Sequence, residues 1–122
     1  SGSMSAKQIG MALGSIASYA AAKDVPFVRI IFCDAKATDA GYLAPEDIAG
    51  RVKVTGRGGT ILQPGVDCLE QANDFPKDGP ILIITDGEIE NDLKVRREHA
   101  FLLPRGNRLP FRARGEVFYF RE

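Results

Sequence analysis

Apolar positions recur along this chain with two periods, and the switches between them mark the elements. From Ser5 to Lys23 they fall at Ile9, Ala12, Leu13, Ile16, Ala17 and Ala20, steps of three and four that make one stripe on a helix. Gly10, Gly14 and the alanines keep that surface small, so the helix can approach a sheet closely. Asp24-Val25-Pro26 ends it, because proline restricts the residue before it and cannot continue a helix. Phe27 to Cys33 is mostly apolar and predicts a strand with Asp34 at its carboxyl end. Residues 35–50 hold no sustained period and read mostly as connection, with one short helical turn between Pro45 and Gly50.

Farther on, Arg51 to Thr55 alternates polar and apolar, which predicts an edge strand with one wet face. Pro64 to Ala72 predicts a helix with Val66, Leu69 and Ala72 on one side. Ile81-Leu82-Ile83-Ile84-Thr85 is uniformly uncharged and far too short for a membrane span. It predicts a strand buried on both faces at the centre of a parallel sheet. Asn91 or Asp92 is placed to cap a short helix through Glu98. His99 to Pro104 and Glu116 to Phe120 are the last strands, joined by a basic connection that proline and glycine punctuate. This order predicts an α/β three-layer sandwich with a mostly parallel sheet, folded as one domain over residues 1–122.

Charge is balanced, 16 basic against 16 acidic residues, so nothing global draws the chain to nucleic acid. The distribution is uneven, however. Lys94, Arg96, Arg97, Arg105, Arg108, Arg112 and Arg114 face only Glu98 in the stretch from 94 to 114, either as a solvated face or as an anion-binding one. Cys33 and Cys68 lack the spacing of a redox or zinc motif and read as free thiols, which fits a reducing compartment. With no apolar run approaching a membrane span and no signal peptide, the expectation is a cytoplasmic protein.

Candidate chemistry converges on Asp86, a carboxylate at the end of the most apolar strand and followed by Gly87, which can turn the backbone away. Two other stretches place hydroxyls on glycine-rich backbone ahead of helices, Ser1-Gly2-Ser3-Met4-Ser5 and Gly56-Arg57-Gly58-Gly59-Thr60. The second could be a plain turn or an anion cradle, although the lysine and spacing of a nucleotide-binding P-loop are absent. Ser1, Ser3, Thr60 and Asp86 together are hard oxygen donors with a single carboxylate. That set suits Mg²⁺ or Mn²⁺ and does not suit zinc.

The order SGSMS, then GRGGT, then a hydrophobic strand ending in TDG resembles the von Willebrand factor A (VWA) domain. That family's metal-ion-dependent adhesion site uses Asp-x-Ser-x-Ser, a Thr and an Asp from three loops. The resemblance implies a Rossmann-like sheet in the order 3-2-1-4-5-6 with an antiparallel edge strand. It also implies a divalent cation held by Ser1, Ser3, Thr60 and Asp86, its last position filled by a carboxylate from a protein partner. Asp34, Gly59, Gly87 and Glu88 stand beside these as outer neighbours or possible ligands, and Asp34 reads equally as a loop or capping carboxylate. The family's motif opens with an Asp at the end of a first strand, and neither precedes Ser1 here. The expectation is a fragment of a longer chain, in which the slot between the strand at 27–33 and the strand at 81–85 is filled by an upstream segment or by a strand of another chain, or is closed by the two strands onto each other.

The function so implied is a binding module acting as an intracellular scaffold or adaptor, not an enzyme, with an AAA-type ATPase or a metallopeptidase-like region as possible partner. Two alternatives stay open. A Mg²⁺ ion with open positions could assist hydrolysis of a phosphate ester, although His99 has no evident nucleophile beside it. The basic stretch from 94 to 114 could read an anion or nucleic acid instead.

Overall fold

The computed structural model describes residues 6–33, 37–48, 61–77 and 79–121. Helix α1 (Ala6–Ala22) is followed by strands β1 (Val28–Cys33) and β2 (Ala37–Leu43), then by helices α2 (Pro45–Ile48) and α3 (Gln63–Gln71). Strands β3 (Ile81–Ile84), β4 (His99–Pro104) and β5 (Glu116–Phe120) complete the mixed α/β chain. The predicted strand at 51–55 lies outside the described residues.

The strands form two sheets. β1 and β2 pair antiparallel, from Val28 opposite Leu43 to Cys33 opposite Ala37, with a bulge between Ile30 and Ile31. β3, β4 and β5 form a parallel sheet in chain order, with Ile81 opposite His99 and Ala100 opposite Glu116. Among the described residues no hydrogen-bonded ladder joins the two sheets.

The alternation of a strand sends Ile81 and Ile83 to one face of the parallel sheet and Leu82 and Ile84 to the other. On the first face Ile81, Ile83, Phe101 and Leu103 pack with Leu62 and Val66 at the start of α3. On the second, Ile84, Leu102 and Phe120 pack with Ile9, Met11 and Ala12 of α1. Helix α1 also reaches the other sheet, where Leu13, Ile16 and Ala17 meet Val28, Ile30, Leu43 and Ile48. Ile9 and Ile84 belong to both contacts, so α1 packs across both sheets. The helical stripe of small and branched residues is what permits this, because both flanks of the stripe are apolar.

Three expectations need correction. Residues 37–43 are a strand rather than connection: Asp39 and Gly41 interrupt the apolar period, yet they sit where the hairpin bulges. Gly41 has a positive φ of 76°, and its N–H is held by the Asp39 carboxylate at 2.8 Å. β3 is not covered on both faces, because Leu82 remains 44% exposed. The helix expected after Asn91 is absent, and residues 91–98 run beside α3 instead. The Lys94 N–H donates to the Gln63 side chain at 2.8 Å, while the Gln63 amide returns a bond to the Lys94 carbonyl at 2.9 Å. The Arg96 N–H donates to Glu70 at 3.0 Å. Polar groups that a helix would pair internally are thus spent on side chains of α3.

Arg97 closes that clamp. Its guanidinium donates to the carbonyls of Pro76 at 2.8 Å and Gly79 at 3.1 Å and stacks 5.1 Å from the Phe75 ring centre. A second guanidinium fastens the hairpin to the turn after α3. Arg29 grips Asp39 with its Nε at 2.9 Å and Nη2 at 2.5 Å and reaches Asp74 with Nη1 at 2.6 Å. Tyr42 stacks on the same guanidinium and donates its hydroxyl to the Asp74 carbonyl. These hydrogen bonds raise the Arg29 pKa and hold the Asp39 carboxyl below the usual carboxylate range.

Candidate functional site

Asp86 sits just past the end of β3, and the backbone there is fixed by local chemistry. Thr85, fully buried, donates its N–H to the Leu102 carbonyl at 3.1 Å and so extends the parallel pairing by one residue. Its hydroxyl accepts the Gly87 N–H at 3.1 Å. Asp86, 7% exposed, accepts the Glu88 N–H on Oδ1 at 3.0 Å, the turn that a short carboxylate makes with backbone two residues on. Gly87 between them has a φ of 93°, and Ile89 N–H closes onto its carbonyl at 2.9 Å.

The connection from β4 to β5 braces this turn from the side. Asn107 donates its side-chain amide to the Asp86 carbonyl at 2.9 Å. Arg108 lies so close that a Cβ on Gly87 would fall 1.8 Å from its carbonyl oxygen. Positive φ and close approach therefore both require glycine at 87. The result is a carboxylate held rigidly at the carboxyl edge of a parallel sheet, where α/β folds collect ligands.

Glu90 ties this edge to α3. Its carboxylate accepts the Leu62 N–H with both oxygens at 2.9 Å and the Gln63 N–H at 2.9 Å. Leu62, the residue that begins α3, has no side-chain cap of its own, so Glu90 supplies one from a distant turn. The acid also suits the positive end of the helix dipole.

Of the residues singled out from the sequence, Asp86, Gly87 and Glu88 are brought together, with Glu88 exposed at the rim. Ser1, Ser3, Asp34, Gly59 and Thr60 lie outside the described residues. Among the described residues no three His, Cys, Asp or Glu side chains gather as a metal cluster. His99 is at the other end of the sheet: it opens β4 opposite Ile81, with Nδ1 2.8 Å from the Arg97 carbonyl and its ring edge-on to Phe101. It therefore stands apart from Asp86. Cys68 is a free thiol on α3.

Asn107, Arg108 and Glu90 were not legible as parts of this edge. The only signal in the sequence was Gly106-Asn107, a turn dipeptide that folds back from a strand end. No described helix is long and apolar enough to cross a membrane. Comparison with protein-family models, with curated proteins and with solved structures finds no match for this chain.

Proposed function

We propose that this chain is a VWA-like module that binds a protein partner through a divalent cation, Mg²⁺ or Mn²⁺, at the carboxyl edge of a three-layer α/β sandwich. The observation that carries the reading is the rigid Asp86-Gly87 turn at the end of β3, buried and braced by Asn107. A second feature supports it. The family's strand order, with its first strand left out, divides into an antiparallel pair and a parallel trio, and the two sheets here have that composition.

The donor chemistry fits a hard cation: Asp86 offers a carboxylate, and the hydroxyls of Ser1, Ser3 and Thr60 are the further oxygens proposed to hold it. Bound there, the cation would present an electron-poor coordination position to an incoming carboxylate. Asp86 keeps its place through the Glu88 N–H, and Gly87 supplies the positive φ with which the chain turns there. A protein that offers an acidic side chain is the proposed partner, and an AAA-type ATPase or a metallopeptidase-like region is the class that the resemblance suggests. Catalysis is not proposed, since the imidazole of His99 is at the opposite edge of the sheet.

Mn²⁺ titration followed by NMR tests this reading. The paramagnetic ion is expected to broaden the amide signals of Gly87 and Glu88 first, and Asp86→Ala is expected to abolish the effect while the fold is kept. Broadening that is absent, or that survives the substitution, overturns the proposal.

A further inference from the structure

The connection between β4 and β5 crosses the sheet without a helix, and its burial alternates. Leu109, Phe111 and Ala113 turn inward and pack on the core of Ile81, Ile83, Phe101 and Leu103, with the Phe111 and Phe101 rings 5.7 Å apart between centres. Arg108, Arg112 and Arg114 turn outward and are exposed. The backbone bends at 110–111 and again at 114–115, so the row spans at most about 20 Å. Both ends are anchored. Asn107 is bonded to Asp86, and Gly115 lies so close to His99 that a Cβ would fall 2.2 Å from its carbonyl oxygen.

None of the three guanidiniums has an ion-pair or hydrogen-bond partner among the described residues, in contrast to Arg29, which is ion-paired, and Arg97, which is hydrogen-bonded to backbone carbonyls. The inward residues fix the outward ones, so the charges are held by packing rather than left on a floppy loop. We infer that the row Arg108, Arg112 and Arg114 is a docking surface for an acidic, extended segment of another protein.

The chemistry favours a peptide over a nucleic acid. Binders of single strands interleave basic side chains with exposed rings on which bases stack. Here the ring between the arginines, Phe111, is turned into the core, and the exposed Phe118 and Tyr119 stand on β5 outside the row. Glu116, exposed two residues after Arg114, opposes a polyanion of uniform density more than a peptide whose acids are spaced. This surface does not depend on a metal, so it stands or falls apart from the function proposed above.

The test is fluorescence anisotropy with a labelled twelve-residue peptide of alternating Glu and Ser, in buffer containing EDTA. Binding is expected to weaken with added salt, and Arg112→Ala and Arg114→Ala are each expected to raise Kd by about threefold or more. Lys7→Ala, which removes an equal charge from the exposed side of α1, should leave Kd unchanged. A peptide that fails to bind at low salt overturns the proposal, as does a Kd that responds equally to Lys7→Ala. Tighter binding of a single-stranded DNA of the same length overturns the choice of partner.

Discussion

The Glu90 carboxylate caps α3 by accepting the N–H of Leu62 with both of its oxygens, across a gap of nearly thirty residues in sequence. A helix of this length whose first residue carries no cap would leave those donors unpaired beside an apolar core. Glu90→Ala is expected to destabilise the protein by about 1–2 kcal/mol, and Glu90→Gln, which keeps one acceptor, by less. Denaturation by urea followed by circular dichroism measures both. Equal stability of the alanine variant and the parent would mean that the cap contributes nothing.

The Arg29–Asp39 contact makes stability depend on acid. Asp39 is held ionised by the Arg29 guanidinium and by the Gly41 N–H, so its carboxyl pKa is lower in the folded protein than in the unfolded chain. The unfolded chain then binds the proton more readily. Stability from this group is present above the ordinary carboxylate pKa, near 3.9, and is lost as pH falls through the folded value. Asp39→Asn is expected to flatten the acid limb of a plot of stability against pH. An acid limb of unchanged slope would show that Arg29 draws no more from Asp39 when it is ionised than when it is neutral.

Amide exchange tests the expected slot. Ile81 and Thr85 donate to β4, so the alternation of the strand turns the N–H groups of Leu82 and Ile84 to the opposite edge, where no strand is hydrogen-bonded among the described residues. In this chain both amides should exchange faster than that of Ile83. In a longer chain that carries a strand ahead of Ser1, they should slow by about 100-fold or more, as groups in a ladder do. Rates that stay fast in the longer chain count against a strand between β1 and β3.

Much of the architecture was legible because it rests on period. The stripe of α1 follows from which face must be buried, and the apolar runs mark β3 and β5 as strands, although Leu82, Phe118 and Tyr119 stay exposed. β2 escaped notice because a bulge with Gly41 broke its alternation, and a bulge is visible only against its partner strand. The path of residues 91–98 escaped because a capping residue followed by Leu93, Val95 and charges fits a short helix as well as a clamp. What decides is the presence of Gln63 and Glu70 on α3, which is tertiary information. At the site, Asp86 could be read from its place after a strand, whereas Asn107 meets it only because β4, whose end it follows, pairs beside β3.

Helix α1 touches both sheets, with Ile9 and Ile84 common to the two contacts, and α3 lies against both hairpin strands as well as the parallel sheet. Where strands share a ladder, melting one removes partners from the next, and the whole sheet goes together. Here that coupling passes instead through the side chains of α1 and α3 and through the contacts of Arg29 and Tyr42 with Asp74. Cooperativity between the hairpin and the parallel trio therefore draws on the fit of Ile9, Ala12 and Leu13 against their neighbours, together with the contacts that α3 and Asp74 make with the hairpin. A loosening of these contacts would let the hairpin and the parallel trio open as separate units.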